Sequence, residues 1–226
     1  AAYTIAMIAF AASLAAMRGR DLAPAAADLT PQAGGVAVLT RVSAGGGVVP
    51  EGALPPGRRA GNIGMSVTWL GTLLLGVALL LRGWSVHRAP WGNMYEFSIT
   101  SAFAVSVAFL VLTVRRDLRW LGIFVVLPVL LTLGLAVTVL YTDAAQLVPA
   151  LQSYWLVIHV SAAVICAGAF CVAAAVTVLY LVADAGERHA IGGKPYYLDW
   201  LTRRLPESTT LDAIAYRIHA FTFPLW

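Results

Sequence analysis

The amino-acid sequence predicts an all-α protein, a polytopic membrane bundle of about six transmembrane helices with its N-terminus outside the cell. Of its 226 residues, 60% are hydrophobic and 12% are charged, whereas a soluble domain has about 25% charged residues. Several charge-free apolar runs reach the length of about 20 residues that a helix needs to span a bilayer. Lys and Arg are concentrated in alternate loops. Together these observations exclude a soluble globular domain.

Four predicted spans lack charged side chains throughout. Each one is an apolar run that is long enough to cross the hydrocarbon core of a bilayer as a helix. In chain order they are the second, third, fourth and fifth spans, at residues 62–81, 97–114, 120–140 and 154–182.

Two further spans are predicted at the ends of the sequence. Residues 1–17 are nearly long enough, and they start without a methionine. They are therefore interpreted as a first span whose beginning is missing. A signal peptide fits less well, because no basic segment precedes them. Residues 213–226 turn apolar and stop at Trp226, which predicts the start of a truncated sixth span.

The loops between the spans fix the orientation. Segments 18–61, 115–119 and 183–212 carry most of the Arg and Lys, whereas 82–96 carries two arginines and 141–153 carries none. Basic loops remain in the cytoplasm, so the first three are predicted to be cytoplasmic and the other two external. The segment 18–61 is rich in Ala, Gly and Pro, which predicts a flexible linker rather than a folded domain.

Several function classes find no support in the sequence. The two cysteines, Cys166 and Cys171, lie in an apolar run without any CxxC or CxxCH pattern, and are interpreted as small packing residues. No nucleic-acid, phosphate-loop or Ser/His/Asp signature occurs. The expected surrounding is therefore the lipid bilayer, with no nucleic-acid partner and no residue assigned to catalysis.

The external segment RGWSVHRAPWGNMYEFS contains a first candidate site. Pro90 and Gly92 are predicted to break the helix ahead of the third span, and Glu96 is the only acid that adjoins the outer end of that span. An ionisable group at such a depth is costly unless it is paired or faces a cavity. The alternative is an aromatic belt at the interface, with Glu96 at a helix N-terminus where the dipole favours it.

The stretch QSYWLVIHV supplies a second candidate, His159, about 6 Å inside the fifth span below Tyr154 and Trp155. An ionisable residue within a membrane span indicates a function, and a histidine bonded to a neighbouring helix is the alternative. Small side chains on its face would leave room for a flat ligand or allow close helix packing. The residues that share this face by helical spacing are Trp155, His159, Ala162, Ala163 and Cys166.

Three sets of segments carry a resemblance to a known family: WGNMYEF, then LRWLG with LTLGLA, and above all LVPALQSYWLVIHV. They resemble the system II cytochrome c biogenesis proteins, the CcsA/ResC family, called CcsB in actinobacteria. The resemblance covers nearly the whole chain apart from the linker. The family's tryptophan-rich external segment and second external histidine do not occur, so the chain is interpreted as C-terminally incomplete.

The resemblance implies a membrane haem-handling subunit of a cytochrome c synthetase, located in the bacterial cell membrane. Such a subunit carries haem b to the external face and presents it for covalent attachment to the CxxCH motif of apocytochrome c. The partners implied are a Ccs1/ResB-type membrane protein, apocytochrome c and a thiol-reducing thioredoxin-like protein. This chain would contribute to a thioether-forming haem lyase complex and would not be active alone.

The same resemblance maps one external axial ligand of the haem iron onto His159. Trp155 lies on the face of this histidine, one turn closer to the outside. Trp91, Tyr95 and Glu96 are expected to line an outer chamber near His159, because all three are predicted to lie outside and Glu96 should need a partner.

Two other functions are weighed against this one. A b-type haem electron-transfer subunit of a respiratory complex would hold haem between histidine pairs on facing spans, yet His159 and His219 are predicted at opposite membrane faces. His219 is instead interpreted as structural. A transporter would show broken helices and charged groups near the midplane, and the second to fifth spans hold none.

Overall fold

The computed structural model describes residues 1–21, 57–115, 117–147, 149, 152–193 and 195–226. All regular secondary structure in these residues is helical, which confirms the predicted all-α class. The α-helices are α1 (Ala2–Asp21), α2 (Arg58–Val86), α3 (Met94–Arg115), α4 (Gly122–Thr138), α5 (Tyr154–Ile191), α6 (Asp199–Thr202) and α7 (Ser208–Leu225), and a 3₁₀ turn (Arg119–Leu121) leads into α4.

Within the described residues, four helices are long and apolar enough to cross a membrane. They are α2, α3, the 3₁₀ turn continued by α4, and α5. They contain the predicted charge-free segments 62–81, 97–114 and 154–182 in full, whereas the helix over 120–140 ends at Thr138. The apolar part of α1, Ala2–Ala16, is shorter than these four helices. The helix α7 does not reach the same hydropathy, because polar and charged residues such as Asp212 and Arg217 interrupt its apolar positions.

Several helices extend beyond the predicted spans. The helix α1 continues to Asp21 and α2 begins at Arg58, so both ends of the predicted linker 18–61 are helical, and the rest of that linker lies outside the described residues. The helix α5 has 38 residues, a length of about 57 Å, which exceeds the bilayer core of about 30 Å. Its last turns include an ion pair between Arg188 and Asp184 at 2.9 Å, a spacing that supports an exposed helix.

Buried polar contacts and small residues fix how the helices pack. The Tyr3 hydroxyl of α1 donates to Ser106 Oγ of α3 at 3.0 Å and lies 3.1 Å from Thr72 Oγ1 of α2. On α5, a Cβ atom added at Gly168 would lie 2.7 Å from the backbone carbon of Ala104 in α3. Glycine therefore allows α3 and α5 to approach closely, as small residues do between membrane helices.

Candidate functional site

Glu96 lies in the first turn of α3 and is completely buried. Arg82 Nε donates to its Oε1 at 2.9 Å, and Arg88 Nη1 donates to its Oε2 at 2.7 Å. The backbone N–H of Gly92 adds a hydrogen bond to Oε2 at 2.8 Å. The structure thus supplies the pairing that a buried carboxylate needs, and these three side chains are called the Glu96 cluster.

The chain reversal between α2 and α3 creates this cluster. At the end of α2, His87 adopts the left-handed conformation with φ of 50°, and the N–H of Arg88 bonds the carbonyl oxygen of Gly83 at 3.2 Å. At the start of α3, the Asn93 side chain accepts a hydrogen bond from the Glu96 N–H at 2.8 Å, which is a typical N-terminal helix cap. Helix breaking at Pro90 and Gly92 agrees with the sequence prediction, since α2 ends at Val86 and α3 begins at Met94.

The two arginines also bind the segment 141–147 that follows α4. Arg82 Nη2 donates to the carbonyl oxygen of Thr142 at 2.6 Å, and Arg88 Nη2 donates to that of Ala145 at 2.7 Å. Sequence reasoning counted both arginines only as loop charges and missed this role. The sequence did contain one indication of this pairing: the segment RGWSVHRAPWGNMYEFS has two arginines and a single acid, Glu96.

Tyr95 belongs to the same end of the bundle. Its ring lies 5.3 Å from the ring of Tyr141, and the Arg82 guanidinium carbon lies 4.8 Å above it. The ring pair fastens segment 141–147 to the start of α3, and the Arg82 contact fastens the end of α2 to it, because an aromatic pair and a cation over an aromatic ring are each attractive.

Trp91 lies beside an apolar groove of about 600 Å³ that is bounded by α3, α5 and α7. Thr100 and Ser161 line the groove at the same end as Trp91, and Arg217 lines it from α7. The Thr100 hydroxyl lies 2.7 Å from the carbonyl oxygen of Pro90, which holds the Trp91 segment against α3.

His159 is exposed on α5, one turn beyond Trp155, whose exposed fraction is 76%. Ser161 follows two residues later, so it points about 200° away around the helix. The groove beside Trp91 therefore reaches α5 at Ser161, on a different side from the one that carries His159. In the described part of the chain, no hydrogen bond or ring contact joins His159 to Trp91, Tyr95 or Glu96.

The face of α5 that carries His159 is covered by α7 further along the helix. Cys166 is buried there, and its Sγ lies 3.8 Å from the carbonyl oxygen of Thr222. His219 of α7 packs its ring 5.8 Å from that of Phe170, and its buried Nδ1 has no hydrogen-bond partner among the described residues. The described part of the chain also contains no cluster of three or more His, Cys, Asp or Glu side chains that could bind a metal ion.

Comparisons with known proteins agree with one another. Residues 91–226 match the family described as Cytochrome C assembly protein. Cytochrome c biogenesis protein CcsA of Pinus thunbergii is 38% identical over 107 residues, which are 45% of this chain and 32% of that protein. The protein of the same name from Picosynechococcus sp. is 29% identical over 154 residues, 64% of this chain and 46% of its own length.

A further relative extends the match. The CcsA protein of Guillardia theta is 27% identical over 175 residues, covering 72% of this chain and 58% of that protein. The chain thus spans between about a third and three fifths of the length of these relatives. No solved structure matches it.

Proposed function

Because the chain belongs to the Cytochrome C assembly protein family, we propose that it acts in cytochrome c biogenesis as a membrane-embedded subunit that handles haem. The observation that carries this proposal is the family match over residues 91–226, which includes both WGNMYEF and SYWLVIHV. The four membrane-spanning helices agree with a role in delivering a membrane-soluble substrate. Its site of action would be the outer face of a bacterial cell membrane, beside a Ccs1/ResB-type protein and apocytochrome c.

In this proposal His159 is an axial ligand of the haem iron, and haem is the substrate. The exposed imidazole and the half-buried Ala162 and Ala163 on its face fit a flat ligand beside α5. A neutral imidazole is a common axial ligand of haem, and the protein tunes the iron through this ligand and its surroundings. Trp155 would contact the same substrate from the adjoining turn.

Trp91, Tyr95 and Glu96 are proposed to support the site from the other external segment. Tyr95 and Glu96 bind segment 141–147 through Arg82 and Tyr141, and this segment leads towards the start of α5. Positioning of haem next to the cysteine thiols of apocytochrome c would be the main contribution, since thioether formation between bound reactants depends on their orientation.

Loss of the gene that encodes this chain should abolish covalent attachment of haem to c-type cytochromes. In membranes of the deletion strain, denaturing gels stained for haem peroxidase activity should lack the c-type bands, and the intact gene should restore them. Spectra of b-type cytochromes serve as the control and should persist. If b-type haem disappears while c-type bands remain, the chain is a b-type electron-transfer subunit instead.

The proposed orientation can be measured with two matched alanine positions. Ala144 precedes α5 and Ala190 lies near its end, and both are exposed. In intact cells, a membrane-impermeant thiol reagent should label the Ala144→Cys protein and leave Ala190→Cys unlabelled until the membrane is opened. Labelling of the parent chain corrects for Cys166 and Cys171. The reverse pattern would invert the topology.

A further inference from the structure

A second cavity, of about 580 Å³, lies at the opposite end of the bundle from Glu96. It is formed by the start of α2, the end of α3 and the 3₁₀ turn. Asn62, Arg115 and Arg119 line it near the helix ends. Positive charge is expected on this side of the membrane, because the sequence predicts it to be cytoplasmic.

The cavity becomes apolar with depth. Trp69 also lines it and follows Asn62 by seven residues on α2, about 10 Å towards the membrane interior. On α3, Leu110 precedes Arg115 by five residues, about 7.5 Å in the same direction. Both walls therefore change from polar to apolar along the membrane normal, and such a cavity suits a ligand with a charged head and an apolar body.

The charged groups around the cavity leave a net positive charge. Arg119 is engaged, since its Nη1 donates to Asn62 Oδ1 and its Nε lies 3.3 Å from the Asp117 carboxylate. Arg115 is exposed, and no carboxylate of the described residues forms an ion pair with it. Arg58 and Arg59 at the start of α2 are also exposed. An anion is thus favoured over a cation, with the Arg115 guanidinium as its available donor.

We propose that this cavity binds one anionic phospholipid of the inner leaflet, with its phosphate at Arg115 and its upper acyl chain against Trp69. A guanidinium forms two parallel hydrogen bonds to a phosphate, and basic residues at the cytoplasmic surface attract anionic lipids. Tryptophan at the membrane interface contacts both the glycerol region and the acyl chain. This lipid site is separate from the proposed role in cytochrome c biogenesis and does not depend on it.

Quenching of tryptophan fluorescence by brominated lipids tests the proposal in the full chain reconstituted into vesicles. Brominated phosphatidylglycerol, added as a minor component to phosphatidylcholine, should quench more strongly than brominated phosphatidylcholine. Trp69→Phe should remove this excess quenching. Arg115→Gln should raise the phosphatidylglycerol concentration for half-maximal quenching about tenfold, as expected when a charge-assisted phosphate contact is lost.

The matched control is Arg188→Gln, which removes an arginine that is 75% exposed at the same end of the bundle and should leave the quenching curve unchanged. An equal shift in both variants would show diffuse charge attraction and overturn the site.

Displacement of brominated phosphatidylglycerol by inorganic phosphate would assign the cavity to a soluble phosphate and overturn the lipid proposal. Arg115→Lys, which retains the charge, should shift the curve by less than Arg115→Gln, and full loss of binding in this variant would contradict a role for charge.

Discussion

Replacement of His159 by alanine is expected to abolish cytochrome c maturation in cells. The imidazole is exposed on α5, and its removal leaves no nitrogen at that place to bind the iron. Even residues that only orient a metal ligand change affinity or activity by about 10- to 100-fold, so loss of the ligand itself should reduce maturation by at least that much. Peroxidase staining of covalently bound haem, compared per cell between variant and wild type, measures this reduction in maturation.

Three measurements on the His159→Ala protein distinguish loss of an iron ligand from loss of the folded protein. The His159→Ala protein should accumulate in the membrane at the normal level, because an exposed side chain contributes little to the fold. The absorbance spectrum of haem that copurifies with the complex should change, and added imidazole should restore part of the maturation by occupying the vacated iron position.

His189→Ala is the matched control for this experiment. It removes another exposed histidine from the same helix, one whose Nδ1 lies 2.7 Å from the carbonyl oxygen of Ala185. Maturation should be unaffected by this change. Normal haem content and normal maturation in His159→Ala would end the assignment of His159 as a ligand.

Glu96→Gln is expected to lower both the thermal stability of the protein and cytochrome c maturation, without preventing membrane insertion. The change leaves Arg82 and Arg88, which are 16% and 11% exposed, without their carboxylate. Removal of one partner from a buried ion pair costs about 3–5 kcal/mol. The arginines would then hold segment 141–147 less firmly, and this segment leads towards the start of α5.

Two control variants test whether the effect of Glu96→Gln comes from loss of the buried ion pairs. Asp184→Asn removes a half-buried carboxylate from its pair with Arg188, whose side chain is 75% exposed. Ion pairs at the surface contribute about 0–1 kcal/mol, so the melting temperature should hardly change. Asn93→Ala removes only the helix cap and should cost about 1 kcal/mol. Wild-type maturation in Glu96→Gln, with a loss of stability no larger than that of Asn93→Ala, would show that Glu96 acts as a helix cap alone.

The four long apolar helices could be predicted from the sequence, because a bilayer imposes a length and an absence of charge that are visible residue by residue. Helix breaking at Pro90 and Gly92 was predictable for a similar local reason. The partners of Glu96 were not predictable, since Arg82 and Arg88 reach it only after the reversal at His87, where a non-glycine residue adopts a positive φ of 50°.

The rotation of α5 escaped prediction for a different reason. The sequence places Trp91 and His159 near the same end of the bundle, but it does not indicate which side of α5 faces the groove beside Trp91. A span that is apolar on all sides carries little information in its sequence about which face meets which neighbour. The placement of Ser161 in the groove with Trp91 depends on the packing of α3 and α7, through contacts such as that between Gly168 and Ala104.

The length of α5 has a mechanical consequence. Glu187 accepts hydrogen bonds from the backbone N–H and the hydroxyl of Ser208 at 2.9 and 2.6 Å, so the C-terminal end of this helix is coupled to the first residue of α7. His159 lies 28 positions earlier on the same helix, at a distance of about 42 Å. If α5 pivots as a rigid rod about Glu187, a tilt of about 5° displaces His159 by about 4 Å. A small movement on one side of the bilayer would therefore be enough to carry the imidazole out of reach of an iron atom on the other.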